Sequence, residues 1–361
     1  MREDVLVVIP CLNEEAHLPR LLDGLLRHAR GETIVVADGG STDRSRRIVA
    51  DLARRSSRLH LLDNPAKLQS AAVNLAARRF GAGARWLVRI DAHCDYPDDY
   101  VGALLAAAMA RRATSVVVPM VSVGRGCFQR AAAAAQNSVL GTGGSPHRHL
   151  GRGQWVDHGH HALFDMARYL AVGGYDEHFT ANEDAELDRR LAATGARIWL
   201  EPACAITYYP RRSPLALFRQ YRHYGIGRAR NLRRHRVPLR LRQMLPVGVV
   251  PAVAAAVLGA ALVPWLRPAA VLAAPGLIWL ALVLVGGVAL GMKQGDRCAC
   301  ASGVAAAIMH FGWSWGFLRE AIARPPLPLP PARLLPEGCE PVSPQAAFAA
   351  ASGGPVPAPA R

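Results

Sequence analysis

Residues 245–318 are almost continuously apolar, and no other feature limits the folding of this chain so sharply. Residues 245–266 carry no charge and would form a helix of about 33 Å, enough to cross a bilayer. Residues 269–292 read as a second span, and only Arg267 and Pro268 separate the two, so a tight hairpin is expected. Residues 298–318 are a third apolar segment, broken by His310, Ser314 and glycines, which either spans or lies in the interface. An ionisable residue at membrane depth would be a functional hint, so His310 is noted. Eleven arginines and no acidic residue lie between Arg211 and Arg242, and Lys293 and Arg297 follow the second span. Both basic stretches fall on one side of the hairpin, which the positive-inside rule assigns to the cytoplasm. Beyond Pro325 the Pro- and Ala-rich ending reads as disordered.

The length of 361 residues fits one domain plus a smaller module. The net charge of +16 is concentrated beside the apolar block, where it suits anionic lipid, and no module that reads bases is visible, so nucleic acid is excluded as a partner. Seven scattered cysteines lack zinc spacing and read as reduced thiols of a cytosol-facing protein. The opening MREDVLVVIP enters a strand directly and is too short and charged for a signal peptide.

The first 200 positions alternate apolar runs with amphipathic stretches. Residues 5–9, 33–37, 59–62 and 87–90 read as buried strands, with 115–120 a further one. Helices are expected after residue 13, after Ser41 or Thr42, over 67–80 and over 185–193. This spacing predicts a mostly parallel α/β sheet with right-handed crossovers. Ligands of such sheets bind at the carboxyl ends of strands, and there the fourth strand ends on Asp91, His93 and Asp95. Two carboxylates and an imidazole can hold a divalent cation that bridges a diphosphate; a polar strand-to-helix turn is the plainer alternative. Residues 124–146 read as a flexible small-residue segment. In QWVDHGHHALF the histidines lack the i, i+4 spacing of a helical zinc site.

Four motifs, VVIPCLNEE, VVADGGSTD, RIDAH and GGYDE…NEDAEL, fall in the order and spacing of inverting family 2 glycosyltransferases of the GT-A fold, which the chain resembles over about residues 4–225. VDHGHHALF, NEDAELDRRL and the apolar carboxyl end look most like the succinoglycan-type glucosyltransferases of bacterial exopolysaccharide assembly. The resemblance implies a nucleotide-sugar pocket lined by Pro10, Asn13, Glu14, Asp38, Lys67 and Asp91. Asp38 matches the base-binding aspartate, suiting a uracil, although Gly39 replaces the usual second aspartate. His93 takes the metal position that is normally an aspartate, with Asp91 and Asp95 as further ligands. Imidazole favours Mn²⁺ over Mg²⁺, the alternative cation. The Glu183-Asp184 pair opens a helix whose dipole keeps carboxylates ionised; the resemblance makes Asp184 the general base and Glu183 its neighbour. His160 and His161 fall on the acceptor side. Gln220, His223 and Tyr224 resemble a degraded Gln-x-x-Arg-Trp motif for diphosphate or acceptor, while an amphipathic interfacial helix accounts for them equally.

The expected organisation is a GT-A domain over 1–225, a basic interfacial segment over 226–244, a membrane region over 245–318 and a disordered tail over 319–361. The expected activity is transfer from a nucleotide-sugar, UDP-linked by the match at Asp38, to a polyprenyl-diphosphate-linked saccharide. The setting would be the cytoplasmic membrane, with several spans and the catalytic domain in the cytoplasm. A processive synthase and a catalytically silent membrane scaffold are the rival readings.

Overall fold

The structure is a computed structural model, and it describes residues 4–144, 151–239 and 241–334. Four parallel strands form the half of the sheet expected from the apolar runs: β1 (Val5–Cys11), β2 (Thr33–Asp38), β3 (Leu59–Asp63) and β4 (Trp86–Arg89). β1 lies between β2 and β4, with Cys11 opposite Asp38 and Val8 opposite Arg89. Its side chains alternate between two cores. Val5, Val7 and Ile9 pack with Leu18 and Leu22 of α1 (Leu18–His28), while Leu6 and Val8 pack with Ala72 and Ala76 of the helix after β3. Burial on both faces is why these strands are continuous apolar runs.

Helices α2 (Ser45–Ala53), α3 (Gln69–Phe80) and α4 (Tyr100–Arg111) complete the crossovers. The apolar run at 115–120 divides at Pro119 into β5 (Ser115–Val118) and β6 (Met120–Ser122), and these join different sheets. Two further strands, β7 (Gln154–Val156) and β8 (His160–Asp165), come from QWVDHGHHALF, and β8 inserts antiparallel between β4 and β5. With β9 (Ile198–Leu200) the order is β3-β2-β1-β4-β8-β5-β9-β7; β10 (Ile206–Tyr208) pairs with β6. The sheet is therefore the mostly parallel α/β type expected, extended by antiparallel strands.

Residues 124–144 are not the flexible segment expected. They form α5 (Cys127–Gln136) and α6 (Val139–Thr142), because the alanines at 131–135 are strong helix formers and pack inward. Helices α7 (Met166–Ala171) and α8 (Glu183–Ala193) follow β8. Next comes α9 (Pro214–His235), a continuous helix that passes through the expected domain boundary at 225. Two of its arginines turn to protein partners: Arg234 pairs with Asp176 at 2.9 Å, and Arg230 with Glu320 at 2.8 Å.

After α9 come α10 (Leu241–Val247), α11 (Val249–Leu262), α12 (Ala274–Gln294) and α13 (Ser302–Ala323). Gln243–Leu262 and Arg267–Gln294 are long and apolar enough to cross a membrane, with 11% and 17% of their most apolar windows buried. The third apolar segment behaves differently. α13 lies against α9, with Gly312 and Gly316 so close to Phe218 and Arg222 that a Cβ would meet backbone. Pro325–Leu334, expected as the start of a disordered tail, returns to the sheet domain: Arg233 and Arg234 donate to the Pro325 and Pro328 carbonyls, and Leu334 N–H donates to Leu170. The rest of the tail, 335–361, lies outside the described residues. The reduced-thiol reading is corrected at one pair, since Cys127 and Cys298 form a disulfide that ties α5 to the end of the hairpin.

Candidate active site

The carboxyl end of β4 meets the amino end of α8. Arg89, the last residue of β4, is the group around which the site is built. It is 4% exposed, and Nη1 donates to Asp184 Oδ1 and to the Tyr175 hydroxyl, each at 2.9 Å. Asp91 Oδ1 lies 3.4 Å from its Nε and Glu183 3.7 Å from Nη2. Burial opposes the charge on Arg89, but Tyr175, Asp184, Asp91 and Glu183 outweigh it and hold the guanidinium protonated. The Tyr175 hydroxyl donates to the same Asp184 oxygen at 2.8 Å.

His160 spans the other two carboxylate oxygens, with Nε2 3.5 Å from Asp91 Oδ2 and Nδ1 3.6 Å from Asp184 Oδ2. Burial pushes the Asp91 carboxyl up, but Arg89, His160 and His93 together hold it below the usual range. Glu183 is pushed up, first by burial and then by the charge of Asp184. The site therefore holds three carboxylates around one arginine, and Asp91, Glu183 and Asp184 all line one cavity.

The backbone explains this placement. Asn182, at φ 62°, precedes α8 and starts the helix so that Glu183 and Asp184 fall in its first turn. Buried Asn74 fixes the GGYDE loop: its Oδ1 accepts from Tyr175 N–H and the Tyr169 hydroxyl, and its Nδ2 donates to the Tyr175 carbonyl and to Glu177. Gly174 has φ 64°, and a Cβ there would fall on Asn74 Oδ1, so this turn requires glycine.

Other expected residues divide between those brought together here and those held apart. Asp91, His93, His160, Glu183, Asp184, Gln220, His223 and Tyr224 all line one cavity of 1480 Å³. Within it Gln220 Nε2 donates to the Tyr208 and Tyr224 hydroxyls, and His223 Nδ1 donates to the Arg219 carbonyl. The His161 side chain is outside the described residues; its backbone pairs with Val117 on the sheet.

The second group sits at the ends of β1 and β2. Pro10 pairs with Ala37 there. Asp38 is 1% exposed and accepts from Arg46 at 2.8 Å and from the Gly40 and Ser41 amides, so its carboxylate closes its own loop. Asn13 Oδ1 accepts from Thr42 N–H, joining that loop to the first. Lys67, at φ 57°, lies against Gly40. Glu14 Oε1 meets His93 Nδ1 at 3.1 Å; this bond raises the His93 pKa against the opposing effect of burial.

Asp95 accepts from the Tyr209 hydroxyl at 2.7 Å, pairs with Arg20 at 3.4 Å and faces a second cavity of 460 Å³, which His93 also lines and Asp91 does not. Among the described residues no three His, Cys, Asp or Glu side chains gather as a metal cluster. Of the three expected ligands, Asp91 and His93 line the larger cavity together. Arg89 and Tyr175 carry no role in the sequence reading. The signal for Arg89 was an arginine inside the apolar run WLVRI, where a buried charge demands partners.

The family described as Glycosyl transferase family 2 matches residues 6–167. The succinoglycan biosynthesis protein ExoA of Rhizobium meliloti (strain 1021) is 47% identical over 319 residues, which is 88% of this chain and 94% of that protein. Among solved structures, the mannosyltransferase PcManGT from Pyrobaculum calidifontis, in complex with GDP-Man and Mn2+, aligns with a TM-score of 0.53 at 18% identity over 86% of this chain and 87% of that one. The last likeness establishes the fold.

Proposed function

The chain belongs to glycosyl transferase family 2, and on that premise we propose that it is a membrane-anchored inverting transferase acting in exopolysaccharide assembly. Its donor is a nucleotide-sugar, UDP-linked by the match at Asp38, and its acceptor a polyprenyl-diphosphate-linked saccharide. The family membership, the kinship to a succinoglycan biosynthesis protein and the exposed apolar hairpin support this reading. The domain faces the cytoplasm with the hairpin in the cytoplasmic membrane.

The observation that carries the chemistry is the asymmetric holding of Asp184. One oxygen is fixed by Arg89 and Tyr175, while the other lies 3.6 Å from His160 Nδ1, and Asp184 and His160 both line the cavity. In the proposed step the acceptor hydroxyl gives its proton to Asp184 Oδ2 while its oxygen attacks the anomeric carbon. The bond from that carbon to the diphosphate oxygen breaks on the opposite face, so configuration inverts. His160, between Asp184 and Asp91, orients both carboxylates. Glu183 adds a contact for the acceptor, and Arg89 offsets the accumulated negative charge. Asp91 and His93 would hold the divalent cation, Mn²⁺ or Mg²⁺, which when bound neutralises the departing diphosphate. The complex of PcManGT with Mn2+ supports that choice of cofactor. Pro10, Asn13, Glu14, Asp38 and Lys67 frame the nucleoside end.

The test is hydrolysis of a nucleotide-sugar panel by the detergent-purified full chain with Mn²⁺, Mg²⁺ or EDTA. Metal-dependent release of one nucleoside diphosphate is expected. Absence of both hydrolysis and calorimetric nucleotide binding would refute the reading.

A further inference from the structure

The cavity at the carboxylate site does not end at the sheet. It continues past α9 to the C-terminal helices, where Val249 and Ala252 of α11, Ile278 and Leu282 of α12 and Trp313 of α13 line it. At that end Trp279 Nε1–H donates to His310 Nδ1 at 3.3 Å. The lining changes character along its length: carboxylates and His160 first, then Arg211, Arg219 and His223, then aliphatic and aromatic side chains. Arg211 lines the cavity together with Asp91 and His93, which places the cationic stretch beside the carboxylate end. Gln220 sits in this middle stretch with its Nε2 held by two tyrosines and its Oε1 buried without a partner. The apolar end suits a hydrocarbon chain, because a sugar there would leave hydroxyls unpaired. Guanidinium groups suit a diphosphate.

We infer that this cavity is one extended acceptor site. It takes an isoprenoid chain between α11, α12 and α13, holds the adjoining diphosphate at Arg211 and Arg219, and presents the attached saccharide to Asp184. The inference rests on the transferase reading above and adds where, and by which residues, the lipid is held.

The test measures binding of a fluorescent long-chain polyprenyl diphosphate to the full chain in detergent micelles, with farnesyl diphosphate as the short-chain comparison and excess phosphatidylglycerol as competitor. Leu282 is 67% exposed, so Leu282→Trp narrows the apolar end without disturbing a packed core. It should weaken polyprenyl diphosphate binding by about tenfold or more, with little change for farnesyl diphosphate. Ala252→Trp should act in the same direction. Arg211→Gln with Arg219→Gln should weaken both ligands about tenfold. Leu258→Trp, on α11 but outside the cavity, is the control and should leave binding unchanged.

An equal loss from Leu258→Trp, or displacement by phosphatidylglycerol, overturns the inference. The transferase reading is tested separately in the same preparation by nucleotide-sugar hydrolysis and nucleotide binding. If those are present while Leu282→Trp and Ala252→Trp leave polyprenyl binding untouched, the lipid site alone falls. If they are absent, the transferase reading falls first.

Discussion

The sheet domain and the α11–α12 hairpin invert the usual arrangement of a soluble protein in opposite ways. The domain buries charge: Arg89, Asp38, Glu186 and Asp188 are each less than 5% exposed. The hairpin displays hydrocarbon, with Val257, Leu258, Leu277 and Val285 all more than half exposed. Charges are buried where a site must fix their position, and each has a partner of opposite sign or a backbone donor. Apolar side chains displayed in this way suit apolar surroundings, as the proposed membrane placement supplies. α13 shows that hydropathy alone does not separate the cases, because its apolar residues are spent on α9 and α5.

The contrast can be broken most decisively on the hairpin. Leu258→Lys combined with Val285→Lys should oppose bilayer insertion by about 5 kcal/mol or more and move the protein out of the carbonate-resistant membrane fraction. Unchanged fractionation would remove the hairpin as anchor. Next in size, Asp184→Asn should lower transfer by about three orders of magnitude while nucleotide binding survives, and near-normal turnover would remove Asp184 as base.

The buried charges make a smaller, pH-dependent prediction. Glu186 is pushed up by burial but held below the usual range by His235 and Arg190, which contact it at 3.3 and 2.6 Å. Its folded pKa lies below its unfolded value, so its contribution is complete above the unfolded pKa and disappears as pH falls through the folded one. Glu186→Gln should therefore cost about 3 kcal/mol at neutral pH, with the gap closing below about pH 4.5. Thermal unfolding of both proteins across that range checks the sign; a constant gap would show that the ion pairs contribute nothing. Least of all, Val257→Ser in detergent should shift stability by about 0.5 kcal/mol or less.

The sheet half built from β1 to β4 was legible because strands buried on both faces must be apolar runs, and each ends at a polar turn. Asp91, His93 and Asp184, singled out by motif, line one cavity. The partners of Asp95, Tyr209 and Arg20, were not legible, since a spacing of two residues says nothing about which side of a turn a carboxylate takes. Arg89 with Tyr175 and Asp184 was hidden because the partners lie 86 and 95 positions away, joined only when the sheet and the GGYDE loop are built. The alanine run in α5 looked like a linker because small residues alone do not show whether a helix has a surface to pack on. The Cys127–Cys298 pair, 171 residues apart, gave no local signal.

The unbroken course of α9 has a practical consequence for anyone recombining this protein with its relatives. Leu217 and Tyr221 pack under α5 and α13, Gln220 lines the cavity, and Arg234 locks onto Asp176 of the sheet domain, all on one rod. The anchor is thus not a cassette that can be exchanged at a linker. A crossover placed near residue 240 would pair a foreign α13 with a native α9 and misfit the glycine contacts at Gly312 and Gly316. A crossover in the loop before Pro214 would carry α9 and α13 together, but it would sever α9 from Asp176 and Glu186. Functional chimeras should therefore demand matched sequence on both sides of the cut, which ties the sheet domain and the apolar hairpin into one inherited unit.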